Sequence, residues 1–432
     1  MEKKIFRIGF VGMGTVAQGV WKHLENNCGQ MAARLGADYE LAKASVRDIN
    51  KKRGVEIPRE KLTENPYDIV NDPSIDIVCE LMGGTDAAFD ITMAALKNGK
   101  VVVSANKAVI CKRGAEIFAT ARKFGGAYFF EASVAGGIPI IKVLREGLVA
   151  NRFSLIYGIL NGTCNYILTR MERENATYET IIEDARRLGY VEADESLDID
   201  GWDAAHKICI LAYLAHGVWI NPENMLVSGI RGIRLEDMQW ARDFDSRIKL
   251  IASVRRNPDG AIFASVYPAL LPLTDVVANV NEVYNAVSLS GDVVGRTVHI
   301  GRGAGQDATA SAVIADIADA VRYLMGAPVR PSAAVDTPAK FASLDEVSGE
   351  FYLRMEVPDQ SGVLASIASD LASEGISIEL LQQRKHDTKG KAWLLLTTHA
   401  TTEAAVKRAC KKLRDARYVC DEPFVLRIWR GE

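Results

Sequence analysis

The stretch Gly9-Phe10-Val11-Gly12-Met13-Gly14-Thr15-Val16-Ala17 decides how this chain is read. It joins an apolar run from Ile5 to Val11, read as a strand, to Thr15–Glu25, read as a helix. Gly12 permits the tight turn at the junction, and Gly14 lets backbone come close to a ligand. The small Ala17 lets the helix pack near the strand. The helix start offers unpaired N–H groups and a positive dipole end, which suit a pyrophosphate. The stretch therefore predicts a dinucleotide-binding strand–turn–helix. The alternative is a merely structural turn, which its place on the first strand of an alternating pattern disfavours.

Strands are expected at Leu41–Arg47, Ile75–Glu80, Val101–Ser104 and Ala127–Glu131, with helices at Ala87–Asn98 and Gly114–Phe124 between them. That alternation predicts an α/β, Rossmann-type doubly wound domain over residues 1–140, with its ligands at the carboxyl ends of the strands. Residues 141–310 mix helical stretches (Tyr178–Leu188, Gly201–His216) with strand-like runs (Phe153–Leu160, Ala261–Pro268). They read as an α+β catalytic and dimerisation domain. A helix at 311–330 is expected to return to the first domain. The proline-, alanine- and serine-rich stretch that follows marks a linker at 331–349. Residues 350–432 read βαββαβ, a ferredoxin-like unit.

The 432 residues suit roughly two to four domains. A net charge of −3 argues against nucleic acid or an anionic membrane as the main partner. No apolar run approaches the roughly 20 residues of a membrane span, and Met1–Phe10 leave no room for a secretory signal. Seven scattered cysteines without a CxxC pair suggest reduced thiols in a cytoplasmic protein.

Several residues carry possible chemistry. Arg47, with Lys51, Lys52 and Arg53 after it, favours a 2′-phosphate and hence NADP, while the neighbouring Asp48 keeps NAD open. Lys107 follows a strand of valines and points either into the cleft or into solvent. Glu131 and the glycine-rich turn after it could hold a hard cation through carbonyl oxygens. A run of acidic residues leads into a helix on which Asp203 and Lys207 share a face at i and i+4. An exposed pair would be a routine salt bridge, whereas a buried lysine among carboxylates is a candidate proton donor. His206 reads better as a packed or surface histidine, and Cys164 as a buried inert thiol, than as catalysts.

Together with Glu80-Leu81-Met82-Gly83-Gly84, Ser104-Ala105-Asn106-Lys107, Gly158 to Thr163 and Gly301 to Gly305, these motifs resemble, in order, the homoserine dehydrogenases that end in an ACT domain. The resemblance covers nearly the whole chain. It implies reversible NAD(P)H-dependent reduction of L-aspartate 4-semialdehyde to L-homoserine, in threonine, methionine and isoleucine biosynthesis. It implies Lys207 as the acid–base residue with Lys107 beside it, and substrate contacts at Glu192, Asp198, Asp203 and Gly162. Cofactor contacts fall at Phe10, Gly12, Gly14, Thr15, Val16, Arg47, Gly83, Gly84, Ser104, Lys107 and Gly303. A monovalent cation, usually Na+, would sit at Glu131 and the carbonyls of Val134, Gly136 and Ile138. The ACT-like turn Pro358 to Leu364 implies an amino-acid effector such as threonine, or a role only in assembly, in a homodimer or homotetramer. The chain departs from the family's pattern at Ala17, at Glu195, where proline is usual, and at Ala308, again for proline.

Overall fold

The computed structural model describes residues 4–187, 195–328, 340–385 and 388–430. They divide into two compact units, each drawn from three separate stretches of chain. The first combines Met1–Ile156, Asp203–Asn224 and Val283–Pro338; the second combines Tyr157–Trp202, Met225–Glu282 and Ala339–Glu432.

The first unit is built on β1 (Ile5–Val11), β2 (Asp38–Ser45), β3 (Leu62–Thr63), β4 (Ile77–Glu80), β5 (Val101–Ser104) and β6 (Ala127–Phe129). They form a parallel sheet in the order β3-β2-β1-β4-β5-β6. The order reverses between β1 and β4, so a crevice opens at their carboxyl ends. The central strands are buried almost throughout, as a parallel sheet covered on both faces requires. The returning helix spans Gln306–Leu324 rather than 311–330, and it packs on helix Thr15–Asn26. Gly19 permits that approach, since a Cβ there would lie 2.8 Å from Gln306 Cγ.

The structure moves several expected boundaries. The second strand spans Asp38–Ser45 rather than Leu41–Arg47, which leaves Arg47 in the loop beyond it. The short β3 was not foreseen, because two residues carry no periodicity. Helix Lys107–Phe124 starts seven residues before the expected Gly114. Its buried positions Val109, Ile110, Gly114, Ile117, Phe118 and Ala121 keep helical spacing through that glycine. Gly114 is needed there because Trp219 crosses it; a Cβ would lie 2.1 Å from the indole. Strand β6 stops at Phe129, and Glu131 enters a 3₁₀ turn instead of ending the strand.

The second unit carries a sheet in the order Ser246–Arg256, Ile262–Pro272, Phe424–Ile428, Ser348–Pro358, Lys391–Thr398, Ile378–Lys385. Its last four strands, with helices Val363–Ser373 and Glu403–Arg414, form the expected βαββαβ unit around a core of its own. That sheet does not end at its edge. Ile262–Pro272 pairs in parallel with Phe424–Ile428, matching Leu270 to Ile428, so one sheet runs through both parts of this unit.

Candidate active site

A cavity of about 580 Å³ opens at the crevice, lined by Gly12, Met13, Gly14, Thr15, Arg47 and Gly83 among others. Gly12 has φ +89°, and a Cβ there would sit 3.0 Å from the backbone of Leu81 and Met82, so no larger residue fits the turn. Lys51 and Lys52 also line this cavity, and neither they nor Arg47 has an ion-pair partner among the described residues. Arg53 is different: its guanidinium is spent on the carbonyls of Asp48 (2.6 Å) and Lys51 (2.8 Å). Asp48 Oδ1 accepts from Asn50 N at 2.8 Å, which turns it to its own loop.

Other expected cofactor residues lie away from this lining. Phe10 is fully buried, with its ring 5.4 Å from that of Trp21. Val16 packs on the core. Gly303 is buried beside Asn285, whose side chain a Cβ would meet at 2.0 Å. Ser104 is buried and donates to Glu80 Oε2 at 2.7 Å. Gly84 (φ +88°) is exposed, and its carbonyl accepts from Asn106 Nδ2 at 2.8 Å.

Those last bonds reveal Glu80 and Asn106, which sequence reasoning left without a role. Glu80 is wholly buried and also accepts from Met82 N at 3.0 Å. Asn106 N donates to Ser104 Oγ at 3.0 Å, while Asn106 Oδ1 caps the helix that begins with Lys107. The network ties the loop Met82–Gly84 to Lys107. A carboxylate ending an apolar strand was its only sequence signal. Burial pushes the Glu80 carboxyl up to about 7 against the bonds from Ser104, Met82 and Asn106. A folded pKa above the unfolded value means the native state holds the extra proton, so Glu80's contribution to stability falls as pH rises from about 4.5 to about 7. Glu80→Gln removes that ionisation at the cost of about one hydrogen bond, roughly 1 kcal/mol. Thermal melts should therefore show its deficit relative to the native chain narrowing between pH 5 and pH 8; a deficit that widens would refute this account.

Asp203 stands at the centre of the chemistry. Its Oδ2 lies 2.7 Å from Lys207 Nζ and its Oδ1 lies 3.1 Å from Lys107 Nζ. One carboxylate thus holds two ammonium groups that are a hundred residues apart in sequence. Lys207 is only 11% exposed, which rules out the routine surface salt bridge. The two helices are locked by stacked aromatics: Tyr213 lies on Trp219 at 3.9 Å and on Phe118 at 5.5 Å. His206 is partly buried, and burial followed by the charge of Lys107 lowers its pKa, so it is a neutral packed imidazole near neutral pH.

In the second unit, Asp198 accepts from Asn161 Nδ2 (2.8 Å) and Thr163 Oγ1 (3.2 Å) at the start of helix Gly162–Glu174. Cys164 is buried, and its thiol bonds the Asp198 carbonyl. Glu195, which stands where proline is usual, is clamped by Arg186 and by Arg231 at 2.9 Å. Ion pairs thus restrain Glu195 itself. Glu192 lies outside the described residues.

Glu131 is buried in the first unit and accepts from the N–H groups of Ile141 and Lys142, each at 2.9 Å. Burial pushes its carboxyl up to about 7. The turn beyond it has φ +55° at Ala135 and +44° at Gly136, where a Cβ would lie 2.6 Å from the Gly303 carbonyl oxygen.

The homoserine dehydrogenase family model matches residues 139–318, its NAD-binding domain matches 12–131, and an ACT domain matches 351–417. The homoserine dehydrogenase of Pseudomonas aeruginosa is 39% identical over 419 residues, 95% of each chain. The chain belongs to the homoserine dehydrogenase family. It is an NAD(P)-dependent oxidoreductase with a C-terminal ACT domain. The crystal structure of a homoserine dehydrogenase from Thiobacillus denitrificans superposes with TM-score 0.90 at 39% identity, over 99% of both chains. That of Staphylococcus aureus at pH 6.5 gives 0.77 at 31%, over 99% of this chain and 100% of that one. A hyperthermophilic archaeal homoserine dehydrogenase in complex with NADPH gives 0.62 at 26%, over 75% of this chain and 99% of that chain. Among the described residues no helix is long and apolar enough to cross a membrane, and none of the cysteines forms a disulfide.

Proposed function

We propose that this homoserine dehydrogenase reduces L-aspartate 4-semialdehyde to L-homoserine, with Lys207 protonating the nascent alkoxide. The observation that carries this is the bridging of Lys207 and Lys107 by Asp203. A buried carboxylate aims both ammonium groups, so a proton donor is held in place before the substrate arrives. The nicotinamide cofactor supplies the hydride when bound. Lys107 adds positive charge where oxyanion character develops. Asp198, Asp203 and Glu192 receive the substrate's ammonium, and Gly162 contributes backbone beside Asp198. The test is aspartate-semialdehyde-dependent oxidation of NADPH and NADH: binding of NADPH without oxidation would leave a non-catalytic sensor instead. Sensitivity to thiol alkylation would favour a phosphorylating semialdehyde dehydrogenase, although Cys164 is buried.

The cofactor is NADP rather than NAD, because Arg47, Lys51 and Lys52 have no ion-pair partner among the described residues while Asp48 is turned to its own loop. Gly12, Gly14 and Thr15 cradle the pyrophosphate and Gly83 lines the same groove. Arg47→Ala removes a charge-assisted bond worth about 1.5–3 kcal/mol, which corresponds to about a 10- to 100-fold rise in KM for NADPH. KM for NADH should stay unchanged; equal losses for both cofactors would reject the 2′-phosphate role.

A monovalent cation, Na+, is assigned to Glu131 with the carbonyls of Val134, Gly136 and Ile138, a buried carboxylate followed by a turn that bends back at Ala135 and Gly136. The cation is structural. The domains are assigned as 1–140 nucleotide-binding, 141–310 catalytic and 350–432 regulatory, with an amino-acid effector such as threonine. The enzyme acts in the cytoplasm as a homodimer or homotetramer.

A further inference from the structure

The second unit contains a cavity of about 780 Å³ that the reaction does not use, lined by Tyr178, Arg231, Arg234, Glu236, Asp421 and Phe424 among others. It joins two parts of that unit. Tyr178 and the segment 229–234 belong to the catalytic region, while Asp421 and Phe424 belong to the ferredoxin-like unit. Its lining carries both signs of charge, with Arg234 Nη2 3.5 Å from Asp421 Oδ2. Tyr178 is nine-tenths buried, and its hydroxyl has no hydrogen-bond partner among the described residues. A buried hydroxyl left unpaired calls for an acceptor, and this one, sealed beneath the lining, meets it as a ligand shifts that lining.

The segment 229–234 touches chain on two sides. Ile230 N donates to Ile199 O at 3.0 Å, and a Cβ on Gly229 would sit 2.0 Å from that same oxygen. Arg231 reaches Asp200 at 2.6 Å and Glu195 at 2.9 Å. From the ferredoxin-like unit, Arg354 Nη2 donates to Gly232 O at 2.7 Å, and a Cβ on Gly232 would sit 2.7 Å from the Phe424 ring. The segment is therefore packed without slack between the regulatory sheet and the acidic stretch that continues directly into Asp203.

We propose that this cavity is a binding site for a small zwitterionic amino acid, and that the segment 229–234 transmits its occupancy to residues 195–203. The ligand carboxylate meets Arg234 and Tyr178, and its ammonium meets Glu236 and Asp421. The proposal rests on the effector reading above and moves the site away from the turn before helix Val363–Ser373.

Isothermal titration of the full-length enzyme with L-threonine, L-methionine and L-isoleucine tests it, in the native chain and in Tyr178→Phe, Arg234→Gln, Glu236→Gln and the turn variant Gln360→Ala. One of these amino acids should bind the native chain and raise KM for aspartate semialdehyde. Its Kd should rise about tenfold in Arg234→Gln and Glu236→Gln and several-fold in Tyr178→Phe, and stay unchanged in Gln360→Ala. Tyr178→Phe, which removes a single atom, keeps the test sound should a charge variant fail to fold. Unchanged affinity in every cavity variant that folds overturns the site but leaves an effector elsewhere on the enzyme. Binding that changes neither KM nor kcat overturns the transmission. No binding of any of the three to the native chain overturns the effector reading itself.

Discussion

Lys207→Ala should lower kcat for aspartate-semialdehyde reduction about 10³-fold while leaving the Kd for NADPH essentially unchanged. Positioned general-acid catalysis contributes about 10²–10⁴-fold, and Lys207 is the better placed of the two lysines for that role. It sits 2.7 Å from Asp203 and is mostly buried, whereas Lys107 is 3.1 Å away with its side chain 37% exposed. The cavity lined by Gly12–Thr15 and Arg47, proposed for the cofactor, does not include Lys207, so NADPH titration should follow the native curve. Asp203→Asn should show an intermediate loss, because an amide still accepts from one lysine but no longer balances both charges. Normal kcat in Lys207→Ala would remove the proton-donor assignment. A matching loss of NADPH affinity would instead point to a collapsed site.

The largest effect on stability is expected from Asp237→Ala. Asp237 is 1% exposed and receives Arg354 Nε and the Tyr352 hydroxyl, each at 2.8 Å, while its other oxygen accepts from Arg234 N. Arg354 is itself 5% exposed. Removing the carboxylate leaves a buried guanidinium without its counter-charge, which typically costs about 3–5 kcal/mol. The unfolding midpoint should fall by on the order of 10 °C. The double change Asp237→Leu with Arg354→Met, which removes both charges, should recover much of that loss, since an apolar pair of similar volume is often nearly neutral. Calorimetry decides this: a single variant within about 1 kcal/mol of the native chain would show that the pair is water-compensated. Because Arg354 also holds the Gly232 carbonyl, the single variant should in addition weaken any effector response.

The acidic stretch shows how function divides between local code and tertiary packing. Asp203 and Lys207 at i and i+4 were legible because helical periodicity alone puts them on one face. Lys107 could not be joined to them from sequence. Its helix begins seven residues before the expected Gly114, and the close contact of Gly114 with Trp219 is a tertiary one. Glu80 stayed hidden for a similar reason: its partners Ser104 and Asn106 lie at and just beyond the end of a different strand, and only the parallel pairing of β4 with β5 brings the two strand ends together.

What the sequence by itself determined is the set of local devices. These are the glycine turn after β1, the alternation that makes a parallel sheet, the βαββαβ unit, and the motif order that names the family. Each rests on short-range sterics or on periodicity, which residues a few positions apart already encode. Only the tertiary structure decided that Asp203 bridges two distant lysines. It also decided that the Phe10 ring packs on Trp21 and that Gly303 packs on Asn285, and that the sheet of the ferredoxin-like unit continues a strand of the catalytic region. Those facts depend on which buried faces meet. Burial is a property of the whole fold, set by long-range contacts that no window of sequence contains.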